Sequence, residues 1–134
     1  VSSNNPLDHV WWLASRSAGV VAFLLLTASV LIGLAMALRI APRRLTVALR
    51  TGHERIALTA LAAIAAHGLL LLGDPWLHPG VSGLLVPFTM AYRSVWTGLG
   101  VCAGYLAATL SLSYYARRRL GARRWRKAHR LIPI

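Results

Sequence analysis

The chain has 134 residues, a formal net charge of +12, 57% hydrophobic residues and 13% charged residues. A soluble domain carries about 25% charged residues, and it does not collect its apolar residues into blocks of roughly 20, the length that crosses a bilayer core. Composition therefore excludes an ordinary soluble enzyme and points to an all-α membrane protein of one domain, residues 1–134.

The first apolar span runs from about Trp11 to Leu38. It is too long for a cleavable signal peptide and lacks a small-residue cleavage pattern. Trp11 and Trp12 suit the aromatic belt at a membrane interface, with Arg16 close enough to that end to snorkel outward. His9 precedes it in a polar segment and reads as a solvated histidine. Arg39 and Pro42 end the span, and a basic cluster of Arg39, Arg43, Arg44, Arg50 and Arg55 follows. Basic residues gather in cytoplasmic loops, so residues 1–10 are expected outside and residues 39–51 inside.

The second span, "TGHERIALTALAAIAAHGLLLLG", covers residues 51–73. Thr51 and Glu54 have capping-box spacing, which predicts a helix from Gly52. Gly73, Asp74 and Pro75 close it. The outer segment "DPWLHPGVSGLLVPFTMAYR" is too short and too broken by Pro87 to span, and reads as a loop with a re-entrant or interfacial helix. His78 lies in it as a loop histidine. The third span runs from about Ser94 to Ala116, with Gly100 and Gly104 in GxxxG spacing for close helix packing, and Cys102 as a packed small residue. Tyr114 and Tyr115 mark its inner end.

A second basic cluster comes next: Arg117, Arg118, Arg119, Arg123, Arg124, Arg126, Lys127 and Arg130. Thirteen of the fifteen Lys and Arg residues thus sit in two clusters beside apolar spans. This placement reads as a topology signal in contact with anionic lipid, not as a nucleic-acid surface. "KAHRLIPI" then begins a fourth span, near residue 128. The expected architecture is an antiparallel transmembrane helix bundle of three full spans (about 11–38, 52–73 and 94–116) and the start of a fourth. Beginning on Val1 and stopping just inside that apolar stretch, the chain reads as cut at both ends.

Ionisable side chains inside a span are rare and usually face a bundle interior or a functional pathway. His53 and His67 are fourteen residues apart, which places them on one helical face about 21 Å apart. Ala57, Ala60 and Ile64 lie between them, leaving room for a bulky group. The capping signal puts His53 in the first turn of its span. His129 follows a basic loop in the same way, so the two are expected at one depth near the inner face. Two level imidazoles on facing helices suit axial ligation of a haem iron. Arg50, Arg55, Arg126, Lys127 and Arg130 are candidate contacts for haem propionates. By the same logic His67 ligates a second haem nearer the outer face, its partner lying beyond the end of this chain. The competing reading is a proton relay or interhelical hydrogen bonding in a non-redox transport or scaffold subunit.

These residues resemble the ferric reductase-like transmembrane domain, the haem-bearing membrane module of ferric reductases and NADPH oxidases, with relatives in bacterial methionine sulfoxide reductase systems. The resemblance rests on "WWLASRSAGVVAFLLLTASVLIGL", "HERIALTALAAIAAH" and "RKAHRLIPI" and spans nearly the whole chain. It implies a fold of about six helices holding two b-type haems, with electrons crossing to an acceptor outside. It also implies an inner axial pair of His53 and His129, with His67 on the outer haem. The chain has no dinucleotide fingerprint or flavin-binding segment. The electron source expected is therefore a cytoplasmic flavin or NAD(P)H reductase on another chain or domain, or quinol.

Overall fold

The structure is a computed structural model that describes residues 9–131, Trp76 excepted. Those residues form α1 (Val10–Ala37), α2 (Thr46–Leu72), the short α3 (Gly80–Leu85), α4 (Ser94–Leu120) and α5 (Ala122–Leu131), and contain no strand. A 3-10 turn, Arg43–Leu45, leads into α2. Three helical segments, α1, Arg43–Leu72 and α4, are long and apolar enough to cross a membrane. The 28 residues of α1 measure about 42 Å, more than a hydrocarbon core of about 30 Å, so the ends of such a helix reach the headgroup region. Phe23, Leu31, Val47, Leu69 and Trp96 are exposed on the outside of the bundle, apolar surface suited to lipid contact.

α1 and α2 are antiparallel neighbours, with Ser15 beside His67 at one end and Ser29 beside His53 at the other. α2 and α4 are antiparallel as well. The Tyr115 hydroxyl donates to Glu54 Oε1 at 3.0 Å, and further along, a Cβ placed on Gly104 would stand 3.8 Å from Ile64 Cγ2. A Cβ on Gly100 would meet nothing within 4 Å, so among the described residues only one glycine of the GxxxG pair faces a neighbouring helix. Cys102 is exposed on α4 and not packed as the sequence suggested.

The sequence also misplaced the start of α2. The helix begins at Thr46, so Thr51 is already inside it and its N–H is not an end to be capped. Glu54, the other half of the expected capping box, instead receives the hydroxyl of Tyr115. Residues 46–51, Thr-Val-Ala-Leu-Arg-Thr, contain no helix breaker, and the 3-10 turn feeds directly into them. His53 therefore sits about two turns into α2 and not in its first turn.

On the other side of α2 the chain folds back through α3. Leu84 packs over Gly68, and the Tyr105 hydroxyl donates to the Leu85 carbonyl at 2.6 Å. α3 stops before Val86, as the residue ahead of Pro87 is pushed out of the helical region. α4 continues past the expected Ala116 to Leu120. Gly121, at φ +82, then turns the chain into α5. The helix carrying His129 therefore starts at Ala122, earlier than residue 128. Residues 132–134, the apolar continuation, lie outside the described residues.

α1 ends in a Schellman motif: Ile40 N–H bonds the Ala35 carbonyl at 3.1 Å and Arg39 N–H the Met36 carbonyl at 3.3 Å. That motif places Arg39 at φ +58, where a side chain is costly and glycine is not. Arg39→Gly is expected to stabilise the chain by about 1 kcal/mol, read as a higher unfolding temperature in detergent. An unchanged or lower temperature would show that the arginine side chain offsets its backbone cost.

Candidate functional site

α2 presents His53 and His67 to α1, and α1 answers each with the same pair of residues. His67 Nδ1 lies 2.7 Å from the Ser15 carbonyl oxygen and 3.1 Å from Ser15 Oγ. His53 Nδ1 lies 2.9 Å from the Ser29 carbonyl oxygen and 3.1 Å from Ser29 Oγ. One turn further on is a glycine in each case. A Cβ on Gly19 would stand 3.1 Å from His67 Nδ1, and one on Gly33 would stand 3.2 Å from His53 Cε1. Both serines are buried, at 1% and 4% exposure, so these contacts exclude water.

A carbonyl oxygen can only accept, so each of these contacts is a hydrogen bond when Nδ1 of the imidazole carries the proton and donates it. Ser15 Oγ in turn donates to the His67 carbonyl at 3.1 Å, tying the helices together a second time. Nδ1 protonation leaves Nε2 of a neutral imidazole with its lone pair. A ring N–H given to a backbone carbonyl is the outer-shell arrangement that orients metal-ligating histidines.

α5 brings His129 to His53. Their ring centroids are 6.2 Å apart at an interplanar angle of 82°. Trp125, one turn before His129, stacks on it with ring centroids 4.8 Å apart. Trp125 also donates its indole N–H to Ser113 Oγ at 2.9 Å and meets Tyr114 edge-on. The aromatic contact with α4 thus fixes where His129 stands. His129 Nδ1 is buried and has no hydrogen-bond partner among the described residues, the condition of a polar atom whose partner is missing. Burial, and after it the neighbouring His53 imidazole, hold the His129 pKa below the ordinary histidine range. The neutral form, which is the ligating one, is thereby favoured.

The remaining candidates separate. Arg126, Lys127 and Arg130, with Arg123, line an open concavity of about 410 Å³ on the exposed face of α5. Arg50 and Arg55 are exposed on α2 and are not part of that lining. His9 is exposed at the start of α1, and His78 is exposed in the loop before α3. Arg16 lies over the Trp12 ring, 4.4 Å from its centroid. Among the described residues no group of three or more His, Cys, Asp or Glu side chains could hold a bare metal ion. A group that supplies most of its own metal ligands needs only two from the protein.

Sequence reading found the histidines and missed Ser15, Gly19, Ser29 and Gly33. The signal was there: "SRSAG" and "SVLIG" place Ser-x3-Gly twice on α1, fourteen residues apart, the spacing of the two histidines on α2. No protein-family model, curated protein or solved structure matches this chain.

The half-buried Trp125 anchors α5 to α4, so Trp125→Ala should cost about 2 kcal/mol, somewhat less than loss of a fully buried tryptophan. The measurement is limited trypsin digestion in micelles. Cleavage between Arg123 and Arg130 is expected to accelerate severalfold while the spans stay intact, and an unchanged digestion rate would mean that α5 is held by other contacts.

Proposed function

We propose that this chain is a transmembrane electron-transfer module that holds b-type haem between histidines of different helices. The observation that carries the reading is the His53–His129 pair. The two ring centroids are 6.2 Å apart. Imidazoles from two different helices, brought this close together, would both reach one metal-bearing group. The bonding of each ring supports the same reading. His53 donates its Nδ1–H to the Ser29 carbonyl and keeps Nε2 for a ligand, while His129 has a buried ring nitrogen without a partner among the described residues.

Bound there, the haem would supply the redox change, taking up and releasing one electron at its iron. The chain's part is to position and insulate it. His53 and His129 would hold an inner haem between them. His67, on the same face of α2 about 21 Å away and bonded to α1 in the same manner, would offer one ligand to an outer haem. The cations beside α5, chiefly Arg126, Lys127 and Arg130, would attract the propionates or lipid phosphates. With the basic clusters inside and the N-terminus outside, electrons would enter from a cytoplasmic flavin or NAD(P)H reductase, or from quinol. They would leave to an acceptor on the outer side of a cell membrane. This is the behaviour expected of the ferric reductase-like membrane domain that the sequence resembles.

The deciding measurement is the absorption spectrum of the purified chain after dithionite reduction. A b-type haem band is expected, and His53→Ala and His129→Ala should each remove the same haem, with at least a tenfold loss of its absorbance per chain. A colourless protein would favour a non-redox transport or scaffold subunit, and loss of two different haems would refute the pairing.

A further inference from the structure

The two serine–glycine pairs on α1 repeat at the spacing of the two histidines on α2, and the contacts at both ends are chemically alike. We infer that α1 is a tautomer template. Ser15 with Gly19, and Ser29 with Gly33, are positioning residues that hold His67 and His53 in the Nδ1-protonated form with Nε2 presented as the ligand atom. In water a neutral imidazole favours the opposite, Nε2-protonated form, so both sites work against the intrinsic preference.

Each residue type has a distinct task. The serine main chain offers the carbonyl that accepts Nδ1–H, at 2.7 Å for His67 and 2.9 Å for His53. The hydroxyl lies 3.1 Å from the same nitrogen, giving the proton a second acceptor. In the outer pair the hydroxyl also donates to the His67 carbonyl, which fixes the register of α1 against α2. The glycine removes the side chain that would otherwise hold the ring away, since a Cβ at either position would press on the imidazole at 3.1–3.2 Å. Because the spacing is fourteen on both helices, one register satisfies both sites, and a slip of either helix would break both together.

The value of this arrangement to the protein rests on the haem reading above, whereas the tautomer itself does not. The test is nitrogen-15 NMR of the full chain in detergent micelles with labelled histidine, the resonances assigned by His53→Ala and His67→Ala. Both imidazoles should show a protonated Nδ1 and an unprotonated Nε2. Gly33→Leu should abolish that signature at His53 alone and Gly19→Leu at His67 alone. Gly100→Leu, at a glycine whose added Cβ would meet nothing within 4 Å among the described residues, should leave both intact. Nε2-protonated or freely exchanging rings in the unmodified chain would overturn the inference, as would Gly19→Leu and Gly33→Leu leaving both signatures in place. A preparation that shows the Nδ1-protonated form but no haem band would leave the tautomer template standing and remove only the haem reading.

Discussion

The bond from a histidine ring nitrogen on α2 to a main-chain carbonyl on α1 is the contact on which the arrangement turns. Within a hydrocarbon layer an imidazole N–H without an acceptor is costly, and water cannot supply one. α1 supplies it at an unusual place, a carbonyl within a helix, which already accepts the N–H four residues on. The approach is possible only where the neighbouring turn carries no side chain, hence Gly19 and Gly33. Once that pair of contacts is made, rotation and register of α2 against α1 are both set. The rest of α2 follows: Glu54 meets Tyr115, Ile64 meets Gly104 and Gly68 receives Leu84.

α5 solves a different problem. It carries five cationic side chains, Arg123, Arg124, Arg126, Lys127 and Arg130, in ten residues and cannot lie within a hydrocarbon core. Trp125 and His129, four residues apart, share one face of it, and that face docks against α4 and α2 while the charges point outward. The turn at Gly121 is what lets a helix so unlike α4 follow it directly. One short segment thereby delivers an imidazole to the bundle and a cationic surface to its surroundings.

How much of this was legible in the sequence depends on whether the signal was local. Long apolar blocks gave three membrane-length helices to within a few residues at most ends, because length and hydropathy are properties of a single segment. The separation of His53 and His67 came from helical periodicity alone. The start of α2 was misread because Thr51 and Glu54 match a capping box in spacing, while Glu54 is claimed by Tyr115, sixty-one residues away. The exposure of Cys102 and Gly100 was hidden for the same reason, since facing requires knowing the neighbours. Ser15 and Ser29, taken one at a time, carry no local signal in the apolar sequence of α1. Only when α1 is laid antiparallel to α2 does their spacing coincide with that of the histidines.

The same contacts bear on the choice between a haem ligand and a proton relay. A relay histidine must accept a proton at one ring nitrogen and release one from the other, so each nitrogen needs a partner able to take or give protons. At His53 and His67 one nitrogen is committed to a backbone carbonyl, which accepts a hydrogen bond but does not become protonated at ordinary pH. The nearby Ser15 hydroxyl has its own hydrogen directed to the His67 carbonyl and offers no onward path. An axial ligand has the opposite requirement: one nitrogen anchored and protonated for good, the other with a free lone pair. A donor bond at Nδ1 fits the ligand role proposed above better than a relay, and the same contact occurs at both histidines on one face of one helix.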